Sequence, residues 1–227
     1  MRPRVRAVVD TSTVAAAANG LGARTVAHVR VGAAATWGIG EAAPIGSMAP
    51  ESESWIDIVR AAADDDGLVA ALCGTTDVVA REGLLAALAA ASPAASCAVD
   101  VATLDYIARA EGVPLAVLLG GSADATVPTQ PLLTSLHSPE ACGRVVAAAV
   151  ARGVRLFKFK IGDRGALDRI RASSPHLANA TVALDANGSG DPDSVVDMLT
   201  PYAQWPVAYC EQPVPPGRLA ELPEQLP

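Results

Sequence analysis

A chain of 227 residues that is 51% hydrophobic and only 18% charged has material for a sizeable core, which argues against disorder. Its formal charge of −7 and its 4% aromatic content argue against a nucleic-acid partner, which calls for basic patches and stacking platforms. Cys73, Cys97, Cys142 and Cys210 show no C-x-x-C spacing, so buried, reduced thiols are expected rather than disulfides. The basic start imitates a secretory signal, but Asp10, Thr11 and Ser12 interrupt its apolar run. No uncharged stretch is long enough for a bilayer, so a cytoplasmic protein with no membrane partner is expected.

In chain order, residues 4–9, 25–31 and 36–41 read as β-branched strands separated by glycine-bearing turns, which predicts an antiparallel meander. The Gly20–Gly22 loop is expected to be mobile. Helices are predicted over 51–64, 76–91 and 93–111. The last has Ser92 as its cap, Pro93 at the first helical position and Gly112 just beyond its end. From about residue 125 strands and helices alternate. Strands are predicted at 127–134, 154–161, 181–185 and 207–211, and helices at 138–152, 167–171 and 191–204, with a further helix start at 218–222. Repeated strand–helix–strand units imply a parallel sheet, open or closed into a barrel. The domains are therefore 1–122, α+β, and 123–227, a parallel α/β unit that carries the lysine and carboxylate motifs.

The strand V-R-L-F-K-F-K-I places Leu156, Lys158 and Lys160 on one face and Phe157, Phe159 and Ile161 on the other. Burial and a neighbouring like charge both lower a lysine pKa, which is what a general base at neutral pH requires. The plainer alternative is an edge strand whose lysines reach out to water. Asp185 and Asn187 share a side at the carboxyl end of the next strand. Val207, Tyr209 and Glu211 share one on the strand after. Lys160, Asp185 and Glu211 follow one another at 25 and 26 positions, about one β/α unit each, so they reach neighbouring places on one rim. Two such carboxylates suit a hard divalent cation, Mg²⁺ foremost and Mn²⁺ as its substitute. Taken singly, Asp185 is ordinary turn chemistry and Glu211 a partner for a lysine.

Lys158-Phe159-Lys160, Asp185-Ala186-Asn187 and Glu211-Gln212-Pro213 resemble the K-x-K, D-x-N and E-Q-P motifs of the enolase superfamily, in its muconate-lactonizing and mandelate racemase-like subgroup. Gly38-Ile39-Gly40-Glu41 resembles the G-x-G-E segment of that family's capping domain, and Gly112-Val113-Pro114 with Leu118-Leu119-Gly120-Gly121 resembles the stretch ahead of its barrel. The resemblance implies an α+β capping domain followed by an incomplete TIM-type (β/α) barrel with parallel strands. It also implies an enzyme that removes the α-proton of a small carboxylate substrate through an ene-diolate: a racemase or epimerase, a cycloisomerase, or a lyase such as o-succinylbenzoate synthase.

On that resemblance Lys160 is the base and Lys158 depresses its pKa. Asp185 and Glu211 hold the metal, Asn187 orients the cofactor or substrate, and the loop at 19–23 lies over the pocket. A third carboxylate ligand and an opposing lysine would fall beyond Pro227. A fragment, a half-barrel completed by another chain or a homo-oligomer, and a non-catalytic assembly module all follow from that. A Schiff-base aldolase using Lys158 or Lys160 is the competing chemistry.

Overall fold

The computed structural model describes residues 5–14, 24–44 and 54–224. Two compact units divide the chain, Met1–Thr126 and Val127–Pro227. The loop at 20–22 and the start of the helix predicted from residue 51 lie outside the described residues.

In the first unit, β1 (Arg6–Val14), β2 (Arg24–Ala33) and β3 (Thr36–Ala42) form an antiparallel meander in the order β1-β2-β3. β1 runs past its predicted end at residue 9 because residues 10–13 go on pairing with residues 25–28. Helices α1 (Trp55–Asp64), α2 (Asp66–Cys73), α3 (Val78–Ala91), α4 (Pro93–Glu111) and α5 (Leu115–Leu118) follow. α2 was not expected, since its acidic entry and Gly67 read as a stop. Asp65 instead caps it by accepting the Leu68 N–H at 3.0 Å.

α4 has the predicted ends, with the Ser92 side chain accepting from Ala95 and Gly112 left-handed at φ 70°. It lies so close to β3 that a Cβ on Gly40 would meet the Ala98 carbonyl at 2.0 Å, and one on Gly38 the Tyr106 nitrogen at 2.1 Å. The Gly-x-Gly of β3 is therefore a packing requirement. Val29, Val31, Val59, Leu72 and Val99 fill the core between sheet and helices. Arg81 is buried among them, donating to the Leu72 and Thr75 carbonyls, to Thr103 and to Asp100.

The second unit is a parallel sheet, β4 (Leu132–Leu133), β5 (Leu156–Lys160), β6 (Thr181–Asp185) and β7 (Val207–Glu211), in that spatial order. The intervening helices are α6 (Pro139–Ala151), α7 (Ala166–Ser173) and α8 (Val195–Leu199). Phe157, Phe159, Leu133, Val182 and Leu184 pack with Val146, Ile170 and Val195 from those helices. This is part of a TIM-type barrel, preceded by a capping domain built on an antiparallel sheet.

Three expectations are corrected here. The strand predicted at 127–134 shrinks to two residues, because Pro128 and Pro131 lack the N–H a ladder needs. The helix predicted at 191–204 is a single turn and a half, Val195–Leu199, followed by the 3₁₀ turn Thr200–Tyr202 at Pro201. The cysteines are free, but only Cys142 is buried, while Cys97 is exposed on α4. Among the described residues no helix is long and apolar enough to cross a membrane.

Candidate active site

β5 is an inner strand, paired on both sides, so the reading of its lysines as edge residues does not hold. Its alternation puts Phe157 and Phe159 into the core at 0% exposure and turns Lys158 and Lys160 to the opposite face. The ladder then sets Lys160 opposite Asp185, and Asp185 opposite Glu211. One residue is inserted between β6 and β7, because Val182 pairs with Val207 but Ala183 pairs with Tyr209. Val207 therefore packs toward the helix-side core and does not share the face of Tyr209 and Glu211, as simple alternation predicted.

The predicted site residues come together. Lys158 Nζ lies 2.6 Å from Glu211 Oε2 and 2.9 Å from Asp185 Oδ2. Lys160 Nζ lies 2.7 Å from the same Asp185 oxygen and also donates to Asn187 Oδ1. Asp185 is 1% exposed, and its other oxygen accepts the Asn187 N–H at 3.0 Å. The plain readings are both seen directly: Asp185 forms a turn and Glu211 pairs with a lysine.

The expected pKa direction is overturned for Lys158. Burial pulls its ammonium down, but hydrogen bonds and charge from Glu211 and Asp185 outweigh that and hold it above the ordinary lysine value. Burial likewise pushes Asp185 up, and the two ammonium groups with the Asn187 N–H outweigh it, leaving the carboxyl below its usual range.

The turns after β6 and β7 are joined into one rim. Ala186, Gly188 and Gly190 donate their N–H groups to the carbonyls of Glu211, Gln212 and Pro213. Asn187 and Gln212, each next to a strand-end carboxylate or one residue beyond it, take positive φ of 46° and 43°. Below the rim, Gln130 donates to the Tyr209 hydroxyl at 2.9 Å. Strands lie about 4.8 Å apart, so a bond from the approach to β4 across to β7 requires the sheet to curl toward its lysine face.

Three features escaped the sequence reading. The Gln130–Tyr209 bridge joins residues 79 positions apart and leaves no local signal. Arg169, 3% exposed, donates to both Asp163 oxygens and to the Lys160 carbonyl at 3.0 Å. The third was legible: of 17 basic residues, Lys158 and Lys160 are the only lysines.

Asp185 and Glu211 fit a hard divalent cation as far as they go, since each turns an anionic oxygen to the same point, now the Lys158 ammonium. Among the described residues no set of three or more His, Cys, Asp or Glu side chains is arranged to hold a metal.

Residues 141–225 match the family described as enolase C-terminal domain-like. The second unit is an enolase C-terminal-like domain. The chain is 27% identical over 192 residues to a D-Ala-D/L-Ala epimerase of Cytophaga hutchinsonii, covering 82% of this chain and 50% of that protein. It is 28% identical over 208 residues to the chloromuconate cycloisomerase CbnB of Cupriavidus necator, covering 87% and 55%.

A dipeptide epimerase from Enterococcus faecalis V583 shares the fold, with a TM-score of 0.76 at 21% identity over 96% of this chain and 62% of that one. A crystal structure of that epimerase complexed with Mg and the dipeptide L-Leu-L-Tyr aligns with a TM-score of 0.71 at 22% identity, over 96% and 63% of the two chains. The chain thus spans about half the length of the curated relatives it matches. The enolase-like unit carries both lysines and both carboxylates of the site.

Proposed function

We propose that this chain carries the proton-transfer side of a site that removes and returns the proton α to a carboxyl group, on a small substrate such as a dipeptide. The observation that carries the reading is the meeting of the only two lysines with Asp185 and Glu211 on one rim, at 2.6–2.9 Å. Relatives that are epimerases and cycloisomerases support the reaction type.

Lys160 is the base in this reading, because it reaches the open end of the face and touches Asn187, which orients whatever binds there. Lys158, paired with both carboxylates, contributes fixed positive potential rather than a lowered pKa. Asp185 and Glu211 would hold Mg²⁺ or Mn²⁺, whose charge offsets the anion that develops as the α-proton leaves.

The test is α-proton exchange in D₂O with a dipeptide panel and Mg²⁺. Exchange that is abolished by EDTA and falls by about 10²–10⁴ in Lys160→Ala supports the reading. Full exchange in that variant removes the base. A borohydride-trapped adduct would turn the assignment to the aldolase.

A further inference from the structure

The carbonyl of Lys160 poses a specific problem for β5. The Ile161 N–H donates across to Asp185 at 2.9 Å, so the Lys160 carbonyl points the other way, toward β4. The Lys158 N–H, two residues earlier, is directed to that same side, donating to Pro131 at 3.0 Å. β4 ends at Leu133, opposite Phe159, so the ladder has no residue of β4 left to serve Lys160.

Arg169 on α7 supplies the missing donor. Its Nη2 lies 3.0 Å from the Lys160 oxygen. The same guanidinium is held by both oxygens of Asp163, at 3.0 and 2.5 Å, and Asp163 also accepts the Gly165 N–H at 2.8 Å. A group this buried has few alternative rotamers, and a two-point carboxylate grip fixes the plane of the guanidinium.

We propose that Arg169, oriented by Asp163, is a positioning residue for Lys160: it replaces the absent β4 donor and so holds the Lys160 ammonium against Asp185 and Asn187. Its importance for catalysis rests on the proton-transfer reading; the positioning itself does not. Lys158 is the internal control, because it is held by strand pairing on both sides and by two carboxylates.

Having only two lysines makes the test direct. The full chain is treated at one pH with limiting acetic anhydride, capped with deuterated reagent, and the acetylation of Lys160 relative to Lys158 is read by mass spectrometry. In Arg169→Met the strand end loosens, and the Lys160:Lys158 ratio rises by about tenfold, the equivalent of one charge-assisted hydrogen bond. Arg169→Lys returns the ratio part of the way, since an ammonium cannot serve both Asp163 and the carbonyl in the same fork. Asp163→Asn gives a smaller rise.

A folded Arg169→Met with the parental ratio overturns the proposal. Should that variant fail to fold, the parental ratio in folded Asp163→Asn overturns it instead. α-Proton exchange on the same samples separates the two ideas. A shifted ratio with no exchange in the parent sinks the proton-transfer reading and leaves the positioning intact. Exchange in the parent, with an unmoved ratio in the variants, sinks the positioning alone.

Discussion

Asp185 and Glu211 face each other across the β6–β7 ladder, and both direct an oxygen at Lys158 Nζ, at 2.9 and 2.6 Å. The lysine thus occupies the point between two anions where a small cation would be favoured. Lys158→Met should leave Asp185 buried with one ammonium too few. The expected loss is about 1–3 kcal/mol of stability in the second unit. Millimolar Mg²⁺ should recover more thermal stability in this variant than in the parent, because a cation that binds only the folded state stabilises it. Calorimetry with and without Mg²⁺ checks both statements.

Arg81 spends its donors on the Leu72, Thr75 and Asp100 carbonyls, on Thr103 and on the Asp100 carboxylate, joining α2, α3 and α4. Arg81→Met removes a buried cation and orphans several acceptors, including a half-buried carboxylate. A cost of about 3–5 kcal/mol follows. Urea unfolding followed through Trp37 and Trp55 in the first unit measures it.

How much of this could be read from the chain depends on the range of the signal. The site residues were legible because strand alternation and the recurrence of β/α units place Lys160, Asp185 and Glu211 without any knowledge of packing. Ser92, Pro93 and Gly112 bound α4 for the same local reason. The pKa direction of Lys158 was not legible, since it depends on which charge is nearest in space. The register shift at β7 and the service of Arg169 to the Lys160 carbonyl are likewise tertiary facts. α2 was lost to a misread Gly67, although Asp65 three residues ahead of Leu68 was a cap in plain view.

Gly190 has no room for a side chain, as a Cβ there would lie 2.2 Å from the Pro213 carbonyl oxygen that accepts its own N–H. Gly190→Ala should push the two turns apart and cost about 1–3 kcal/mol. Hydrogen exchange should show faster loss of protection at residues 186–190 than at the centre of β6.

Thiol reactivity should follow exposure. Cys97 is exposed and should react with Ellman's reagent first at pH 8. Cys73, whose thiol burial pushes up to about 11 despite Arg81, should be slow, and buried Cys142 slower still. Cys97→Ser should therefore remove the fast phase alone.

Asp163 gives the second unit an acid-sensitive component. Hydrogen bonds from Arg169 hold its carboxyl below the ordinary value, so its contribution is complete above the unfolded pKa, about 3.9, and is lost as pH falls through the lower folded value. The stability difference between the parent and Asp163→Asn should therefore shrink below about pH 4. Denaturant melts at pH 6 and pH 3 compare the two.

The inserted residue in β7 decides which element sits across from Asp185. In an uninterrupted ladder starting from Val182 and Val207, the partner of Asp185 would be Cys210, and the carboxylate would turn away with the next step. Sulfur in that place would make a soft donor the neighbour of a hard one, a pairing suited to zinc or copper rather than to an alkaline-earth ion. The one extra residue, Ala208, thus sets an oxygen rather than a sulfur beside the Asp185 carboxylate.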